Sequence, residues 1–367
     1  MALALYRKYR PKKLADLLGQ EHVATVLKNS AAADRLGHAY LFYGPRGTGK
    51  TTVARILAKI ACCETRAKNK KFAATGEPCN ECIPCTEIDA GRGLDVVEID
   101  AASNRGIDEI RALKEGIRLS PSSYRYKVFI IDEMHMLTKE AFNALLKTLE
   151  EPPAHAILIL ATTEFDKVPA TIASRTQRFN FRRHTIEQIA GKLSMIAKAE
   201  KITATADSLE YIASLAEGSF RDAESLLQQV ASLNNSITLE TVEKNIGVVG
   251  FMRTSQLASY IVGNDLKAAL AYINETNEAG YNIVDLTKEL IQYLRRVLTL
   301  RFNPDLEVEL KKDLTSKELS QIKAHAALLN PEKHLPLIKS LIRAYSEMRY
   351  SPFASIPLEV ALIEHLR

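Results

Sequence analysis

Apolar positions along the chain follow two periods, and the change from one to the other divides it. Up to about residue 180, short apolar runs alternate with stretches in which apolar residues recur every three or four positions. The short runs are Ala39–Tyr43 (AYLFY), Leu94–Asp100 (LDVVEID), Tyr126–Ile131 (YKVFII) and Ala156–Ala161 (AILILA). The helical stretches are Glu21–Ala33, Thr52–Ala61, Ile107–Leu119 and Thr138–Glu151, the last opened by a threonine cap and stopped by Pro152-Pro153. Strand runs this continuously apolar are covered by helices on both faces, so the alternation predicts an α/β fold with a doubly wound parallel sheet.

Near Phe181 the short runs cease. From Arg182 to about Gly247 only short helical patterns remain, broken at Gly218–Asp222, and past a Gly247-Val248-Val249-Gly250 hinge long amphipathic runs such as Asp285–Leu300 and Leu335–Tyr350 continue to the end. The expected division is an α/β domain over 1–180, a small helical domain over 181–247 and an all-α packing or assembly domain over 248–367, with no repeat or low-complexity tract.

Chemistry enters directly after the first strand. Gly44-Pro45-Arg46-Gly47-Thr48-Gly49-Lys50-Thr51 fits G-x-x-x-x-G-K-[ST] at every fixed position, with a strand before it and a helix after it. In such a loop, backbone N–H groups and the helix N-terminus converge on phosphates, Lys50 reaches the β- and γ-phosphates, and Thr51 ligates Mg²⁺, with Thr52 completing the nucleotide-binding stretch. The third strand ends in Asp132-Glu133, where a nucleotidase places its Mg²⁺-organising Asp and water-polarising Glu, and the fourth closes on Thr162-Thr163. All fall at the carboxyl ends of strands, where ligands of open α/β sheets gather.

Composition changes this picture little. With 46% apolar and 25% charged residues over 367, this is an ordinary globular chain of two or three domains. No apolar stretch approaches the roughly 20 residues that span a bilayer, and Met1–Leu5 runs at once into basic residues, which predicts a cytoplasmic protein without membrane contact. A net charge of +5 confines any nucleic-acid surface to a local patch. The densest basic segment, Tyr6–Lys13, reads as a solvated arm or pocket lip.

A polar insertion over about 62–90 carries all five cysteines. Cys63, Cys79, Cys82 and Cys85 are spaced C-x₁₅-C-x₂-C-x₂-C, and thiolates two residues apart on a tight turn reach one tetrahedral ion, Zn²⁺ being the usual occupant of an all-sulfur site. Cys62 reads as a small core residue at the helix end, with the alternative that it replaces Cys63 as ligand.

Phosphate loop, Asp132-Glu133, Thr163, Ser174-Arg175 and Gly218–Asp222, in this order, resemble a AAA+ ATPase of the clamp-loader clade. Tyr9-Arg10-Pro11, Gly19-Gln20-Glu21-His22, His38–Phe42, the cysteine insertion, Ile99–Ser103 and Asp132–Leu137 resemble more closely the bacterial DNA polymerase III gamma/tau family. The likeness is dense over residues 5 to 250 and architectural beyond. It implies a zinc-bearing AAA+ domain, a helical lid and a C-terminal collar for oligomerisation, in an ATP- and Mg²⁺-dependent motor that loads a sliding clamp onto primer–template DNA. Implied partners are delta, delta-prime and further gamma/tau copies, the clamp and DNA, with polymerase and helicase only for a longer form, in a nucleoid-associated replisome.

By the same resemblance, Arg175 is an arginine finger acting in trans on a neighbouring subunit's γ-phosphate, Arg221 the second sensor and Thr163 the first. Tyr9, Arg10, Pro11 and Leu18 border the adenine, and Asn104, Arg105 and Gly106, ahead of a helix, track DNA phosphates. Three departures stand out: Thr176 occupies the position where the family usually has cysteine after the Ser-Arg pair, the first cysteine interval is long, and the chain stops at Arg367, as a short form or a truncation would. Competing expectations are a AAA+ helicase or branch-migration motor, which would carry pore-loop or hairpin insertions, and a non-catalytic structural subunit, which would lack the working Gly49-Lys50-Thr51.

Overall fold

The computed structural model describes residues 3–103, 113, 115–233, 236–246, 251–311, 314, 316–348, 350–351 and 353–366. The chain parts into two compact units, one comprising Met1–Ile189 with Ala216–Ser225, the other Ala190–Leu215 with Leu226–Arg367.

The first unit is built on five parallel strands, β1 (Ala39–Tyr43), β2 (Val96–Asp100), β3 (Lys127–Asp132), β4 (Ala156–Thr162) and β5 (Gln177–Asn180), in the order β2-β3-β4-β1-β5. Register runs straight across the centre, with Leu41 opposite Leu160 and Ile130 opposite Ile159. β5 has no counterpart among the expected strands. Its four residues, Gln-Arg-Phe-Asn, present one buried apolar side chain between polar ones, and it pairs only with β1, so as a short edge strand it lacks the two-sided apolar signature that marks the others.

Each face of the sheet has its own core, as strand alternation requires. Tyr40, Phe42, Val128, Ile130, Ile157 and Ile159 pack with Val23 and Leu27 of α1 (Glu21–Ala32) and Val53 and Leu57 of α2 (Lys50–Cys62). Leu41, Phe129, Ile131, Leu158 and Leu160 pack with Ala141, Leu145 and Leu149 of α3 (Lys139–Glu150). Thr138 caps α3, its side chain accepting from the Ala141 amide. Of the expected helix over 107–119, residues 115–118 are helical and most of the rest lies outside the described residues.

The second unit is helical but for Thr203–Ala204, which pairs in parallel with Ser236–Ile237, two residues each and too short for any sequence period. From Phe251 onward five longer helices among the described residues surround Ile283–Phe302, whose Leu286, Leu290, Leu294 and Val297 are fully buried in a core running from Leu257 to Leu366. The expected hinge at 247–250 lies outside the described residues. No helix among those described is long and apolar enough to cross a membrane.

Candidate nucleotide and metal sites

β1 delivers the chain to the carboxyl edge of the sheet, where Gly44–Gly49 turn back into α2. Three glycines of the turn have positive φ, 142° at Gly44, 73° at Gly47 and 102° at Gly49. A Cβ on Gly44 would lie 2.2 Å from the Phe181 carbonyl oxygen and one on Gly47 1.8 Å from Ser219 Oγ, whereas Gly49 has nothing within 4 Å. Gly47 occupies a position that the loop pattern leaves variable. Its need for glycine comes from Ser219, about 170 residues away, which caps the helix α4 (Phe220–Leu233) by accepting from the Asp222 amide. Gly49 instead opens onto the N-terminus of α2, whose first-turn N–H groups lack helical partners and attract an anion.

Lys50, 6% exposed, donates to the Gly44 carbonyl at 2.7 Å and the Pro45 carbonyl at 2.8 Å. Burial pulls its pKa down, and Glu133 and Asp132 oppose that shift. Thr48 is buried and donates back to Pro45, while Arg46 is exposed at the loop tip. Thr51 Oγ1 donates to Asp132 Oδ2 at 2.6 Å, so the two expected Mg²⁺ ligands, 81 residues apart, meet across α2 and β3. Thr52 lies in the first turn of α2.

Glu133 takes a left-handed conformation, φ 48° and ψ 43°, at the tip of β3. Such backbone costs roughly 1 kcal/mol in a non-glycine residue and is the kind of strain that clusters at functional sites. Thr163 Oγ1 donates to Glu133 Oε2 at 3.0 Å, which brings together the expected water-polarising carboxylate and first sensor. Beside them His135, its side chain 7% exposed, approaches Thr162 Oγ1 at 3.0 Å, Glu164 Oε1 at 3.1 Å and Glu133 Oε2 at 3.5 Å. His135 lies in the Asp132–Leu137 stretch that carries the family resemblance, which gave it no role.

The amino-terminal arm is fastened near the loop. Gln20, buried, bonds the Arg182 backbone through both ends of its amide, at 2.7 and 3.2 Å, and His22 Nε2 meets the Asn180 carbonyl at 2.8 Å. Tyr9 closes the short helix Leu5–Lys8; Arg10 and Pro11 are partly buried, whereas Leu18 is 46% exposed. Arg10 has its pKa lowered by burial first and then by the neighbouring Arg55, which pairs bidentately with Glu98 at 2.8 and 2.9 Å. Arg221 stands 5.2 Å over the Tyr6 ring and also influences Arg10, so the expected sensor and arm converge, joined by Tyr6 of that basic arm and by Arg55, which no motif marked.

Arg175 lies apart. Gln177, two residues on, pairs with Tyr40 near the start of β1, while the phosphate loop follows the end of that strand. Four residues of strand separate the two, about 13 Å along the sheet. The Arg175 guanidinium donates to Glu150 Oε1 at 2.7 Å, the Thr171 carbonyl at 2.9 Å and Ser174 Oγ at 3.3 Å, lining an open hollow of about 640 Å³ with His38 and Gln177. Asn104, Arg105 and Gly106 lie outside the described residues.

Sulfurs of Cys63, Cys79, Cys82 and Cys85 all lie within 4.8 Å of one another, with Cys79–Cys85 at 4.0 Å and Cys63–Cys82 at 3.9 Å. Tetrahedral coordination at a Zn–S length of about 2.3 Å puts sulfurs about 3.8 Å apart, so the cluster fits one tetrahedral metal ion. Amides of Glu81 and Cys82 donate to Cys79 Sγ in a tight turn at left-handed Asn80, and the thiol hydrogen bond from Cys85 pulls the Cys63 pKa down to about 4. Cys62 points elsewhere: its thiol donates to the Tyr126 carbonyl, and burial pushes its pKa up to about 12.

Family models match consecutive parts of the chain: "DNA polymerase III, delta subunit" over 19–185, "DNA polymerase III clamp loader subunit, ATPase lid domain" over 188–235, and "DNA polymerase III subunits gamma and tau domain III" over 237–367. The chain is 44% identical to the DNA polymerase III subunit tau of Bacillus subtilis over 98% of its own length and 62% of that protein's. It is 37% identical to the Escherichia coli subunit tau over 99% of its length and 55% of that protein's. The chain thus spans 55% to 62% of these longer relatives. Against the DNA polymerase III subunit gamma of Buchnera aphidicola subsp. Acyrthosiphon pisum it is 36% identical over 98% of its own length and 97% of that protein's. With a parallel-sheet nucleotide fold, a helical remainder and near full-length similarity to a gamma subunit, the chain belongs to the DNA polymerase III gamma/tau family.

Proposed function

We propose that this chain is an ATP-dependent motor subunit of a DNA clamp loader, using ATP to open a sliding clamp and close it on primed DNA. One observation carries the reading: the hydrolytic groups Lys50, Thr51, Asp132, Glu133 and Thr163 gather at the carboxyl edge of the sheet, while Arg175 stands at the other end. The phosphate loop and α2 N-terminus bind the phosphates, with Lys50 transferring from the Gly44 and Pro45 carbonyls to the β- and γ-oxygens. Glu133, oriented by Thr163, accepts the proton of the attacking water. Thr51 and Asp132 would hold Mg²⁺, which would supply positive charge to the phosphate oxygens. Arg175 completes the site of a neighbouring copy, so hydrolysis waits for assembly.

Tyr6, Arg10 and Arg221 close over the nucleotide, with Tyr9, Pro11 and Leu18 bordering the base. Cys63, Cys79, Cys82 and Cys85 hold Zn²⁺ as a closed structural site, a reading supported by their spacing and the absence of an oxygen or nitrogen ligand in the set. Domain boundaries at about 180 and 247, a collar role for 248–367, and DNA phosphate contact by Asn104, Arg105 and Gly106 rest on family likeness, as do delta-type subunits, clamp and primed DNA as partners and the cytoplasm as the place of action.

The test is the ATPase rate of the chain assembled with its loader partners, with and without clamp and primed DNA. A rise that needs both, and vanishes in Arg175→Ala while nucleotide still binds, is expected. A rate indifferent to the clamp but driven by long DNA would instead mark a translocating motor.

A further inference from the structure

We propose that Glu150 is a positioning residue for Arg175, holding the guanidinium in place before a neighbouring chain's phosphates arrive. This rests on the trans reading of Arg175 above. Arg175 follows the short helix Ala170–Ala173, and its guanidinium turns back on that helix, Nη1 donating to the Thr171 carbonyl at 2.9 Å and to Ser174 Oγ at 3.3 Å. Both acceptors sit on the same turn as Arg175, so they fix the guanidinium only relative to its own backbone. Glu150 differs. It ends α3, whose Ala141, Leu145 and Leu149 are buried against the sheet, and its Oε1 accepts from Arg175 Nη2 at 2.7 Å. That bond ties the tip of a flexible side chain to the packed body of the α/β unit.

A carboxylate beside a guanidinium can either support it or compete with an incoming phosphate, and the donor count decides between the two. Of the N–H groups on Arg175, both on Nη1 and one on Nη2 are taken. The N–H on Nε and the second on Nη2 have no acceptor among the described residues. A bidentate contact with phosphate uses a pair of donors, so Arg175 can engage one without leaving Glu150. Arginine loses much rotamer freedom when it is held, and a side chain held in advance does not lose it in the transition state. The pair adds little to stability, because its side chains are 36% and 49% exposed and exposed ion pairs are weak. Glu150 therefore acts on the rate and not on the fold.

The test uses the loader assembled with clamp and primed DNA. Glu150→Ala is expected to lower kcat roughly tenfold while KM for ATP stays within about twofold of the parent, since misplacing a positioned group by about 1 Å costs up to roughly a hundredfold. Glu150→Gln keeps a neutral acceptor of the same length and should stay within about threefold of the parent, a neutral bond being weaker than a charge-assisted one. On an Arg175→Ala chain, whose residual hydrolysis is followed over hours in single turnover, adding Glu150→Ala should change nothing, because a brace has no effect without the group it holds. A Glu150→Ala rate within about twofold of the parent, or above it, overturns the proposal, the faster rate being the mark of competition. An equal loss on the Arg175→Ala chain overturns it as well, as a general structural effect. An Arg175→Ala assembly as fast as the parent would instead refute the trans finger on which the brace rests.

Discussion

A mixing experiment with two inactive variants tests the placement of Arg175 most directly. Arg175 follows α3 and precedes β5, about 13 Å along the strands from the loop that its own β1 feeds. If Arg175 is a finger acting in trans, as proposed, each active site draws on two chains. Removing a trans guanidinium from phosphoryl transfer lowers the rate by roughly 10³ to 10⁵, or about 4 to 7 kcal/mol of transition-state stabilisation. Lys50→Ala should be equally silent for the opposite reason, since it keeps the finger and loses the phosphate grip. Assembled in equimolar mixture, an intact loop from an Arg175→Ala chain meets an intact finger from a Lys50→Ala chain at about one interface in four, because neighbouring subunits in a ring make head-to-tail contacts. Clamp- and DNA-stimulated hydrolysis, followed by phosphate release, should therefore recover to about a quarter of the parental rate in the mixture while each variant alone stays below about a hundredth. If mixtures shown by mass spectrometry to contain both chains never rise above either variant alone, Arg175 does not act in trans and the reasoning from sheet polarity is wrong.

Other consequences are as concrete. Gly47→Ala forces a Cβ to 1.8 Å from Ser219 Oγ at a φ of 73° and should weaken ATP binding roughly tenfold, from about 1 to 2 kcal/mol of strain; adding Ser219→Gly, a tolerated cap residue, should return part of the affinity in a fluorescent-nucleotide titration. Asp95, 1% exposed, accepts from the amides of Ser122, Ser123 and Tyr124; burial pushes its carboxyl up, but the amides outweigh it and hold the pKa below the ordinary range. Asp95→Ala should cost about 2 to 4 kcal/mol in urea unfolding at pH 7, and because a depressed carboxylate stabilises only above its unfolded pKa, the gap to the parent should narrow as pH falls below about 4. Chelation should remove about one zinc ion per chain, leave the sheet's circular dichroism intact and expose four thiols to reagent where the metal-loaded protein exposes none of the four; less than about half an ion in protein purified without added metal would remove zinc from the account.

Strands and loops that announce themselves by local composition were legible; features made by distant pairs were not. β1, β3 and β4 are central and apolar on both faces, so their runs stand out, and the glycines and lysine of the loop are adjacent in sequence. The strand edges shifted by one or two residues: Leu94 gives way to Val96 because an apolar turn residue reads like its strand, and Ile131 extends to Asp132 because a charged strand end does not. β5 escaped notice because an edge strand of four residues offers one inward position. Gly47, His135 and Tyr6 lie in stretches that the sequence singles out and Arg55 in none, but the contact each makes is with a residue far along the chain, Ser219, Glu164, Arg221 and Glu98 respectively. The sequence reads Cys62 as a core residue but leaves open that it replaces Cys63 as ligand, and helix phase separates the two: consecutive residues at the end of α2 point about 100° apart, one toward the Tyr126 carbonyl and one toward the cysteine cluster.

That same helix end explains why a metal site belongs in a nucleotide-binding unit. Lys59 of α2, 1% exposed, reaches Asn80 Oδ1 in the turn between Cys79 and Cys82, the Lys12 carbonyl and Asp89 Oδ1. Glu77, just ahead of the first of those cysteines, accepts from the amides of Leu14 and Ala15 at 2.8 and 3.0 Å. The cysteine segment thus grips the chain over Lys12–Ala15, immediately after the Tyr9-Arg10-Pro11 arm, and its four sulfurs lie within 4.8 Å of one another, a spacing that one shared ion would fix. α2 carries the phosphate loop at one end and the cysteine cluster at the other, so the metal sets where the arm leaves the surface and the loop sets where the phosphates lie. The two ends of one helix thus tie the phosphate loop and the amino-terminal arm to a common support.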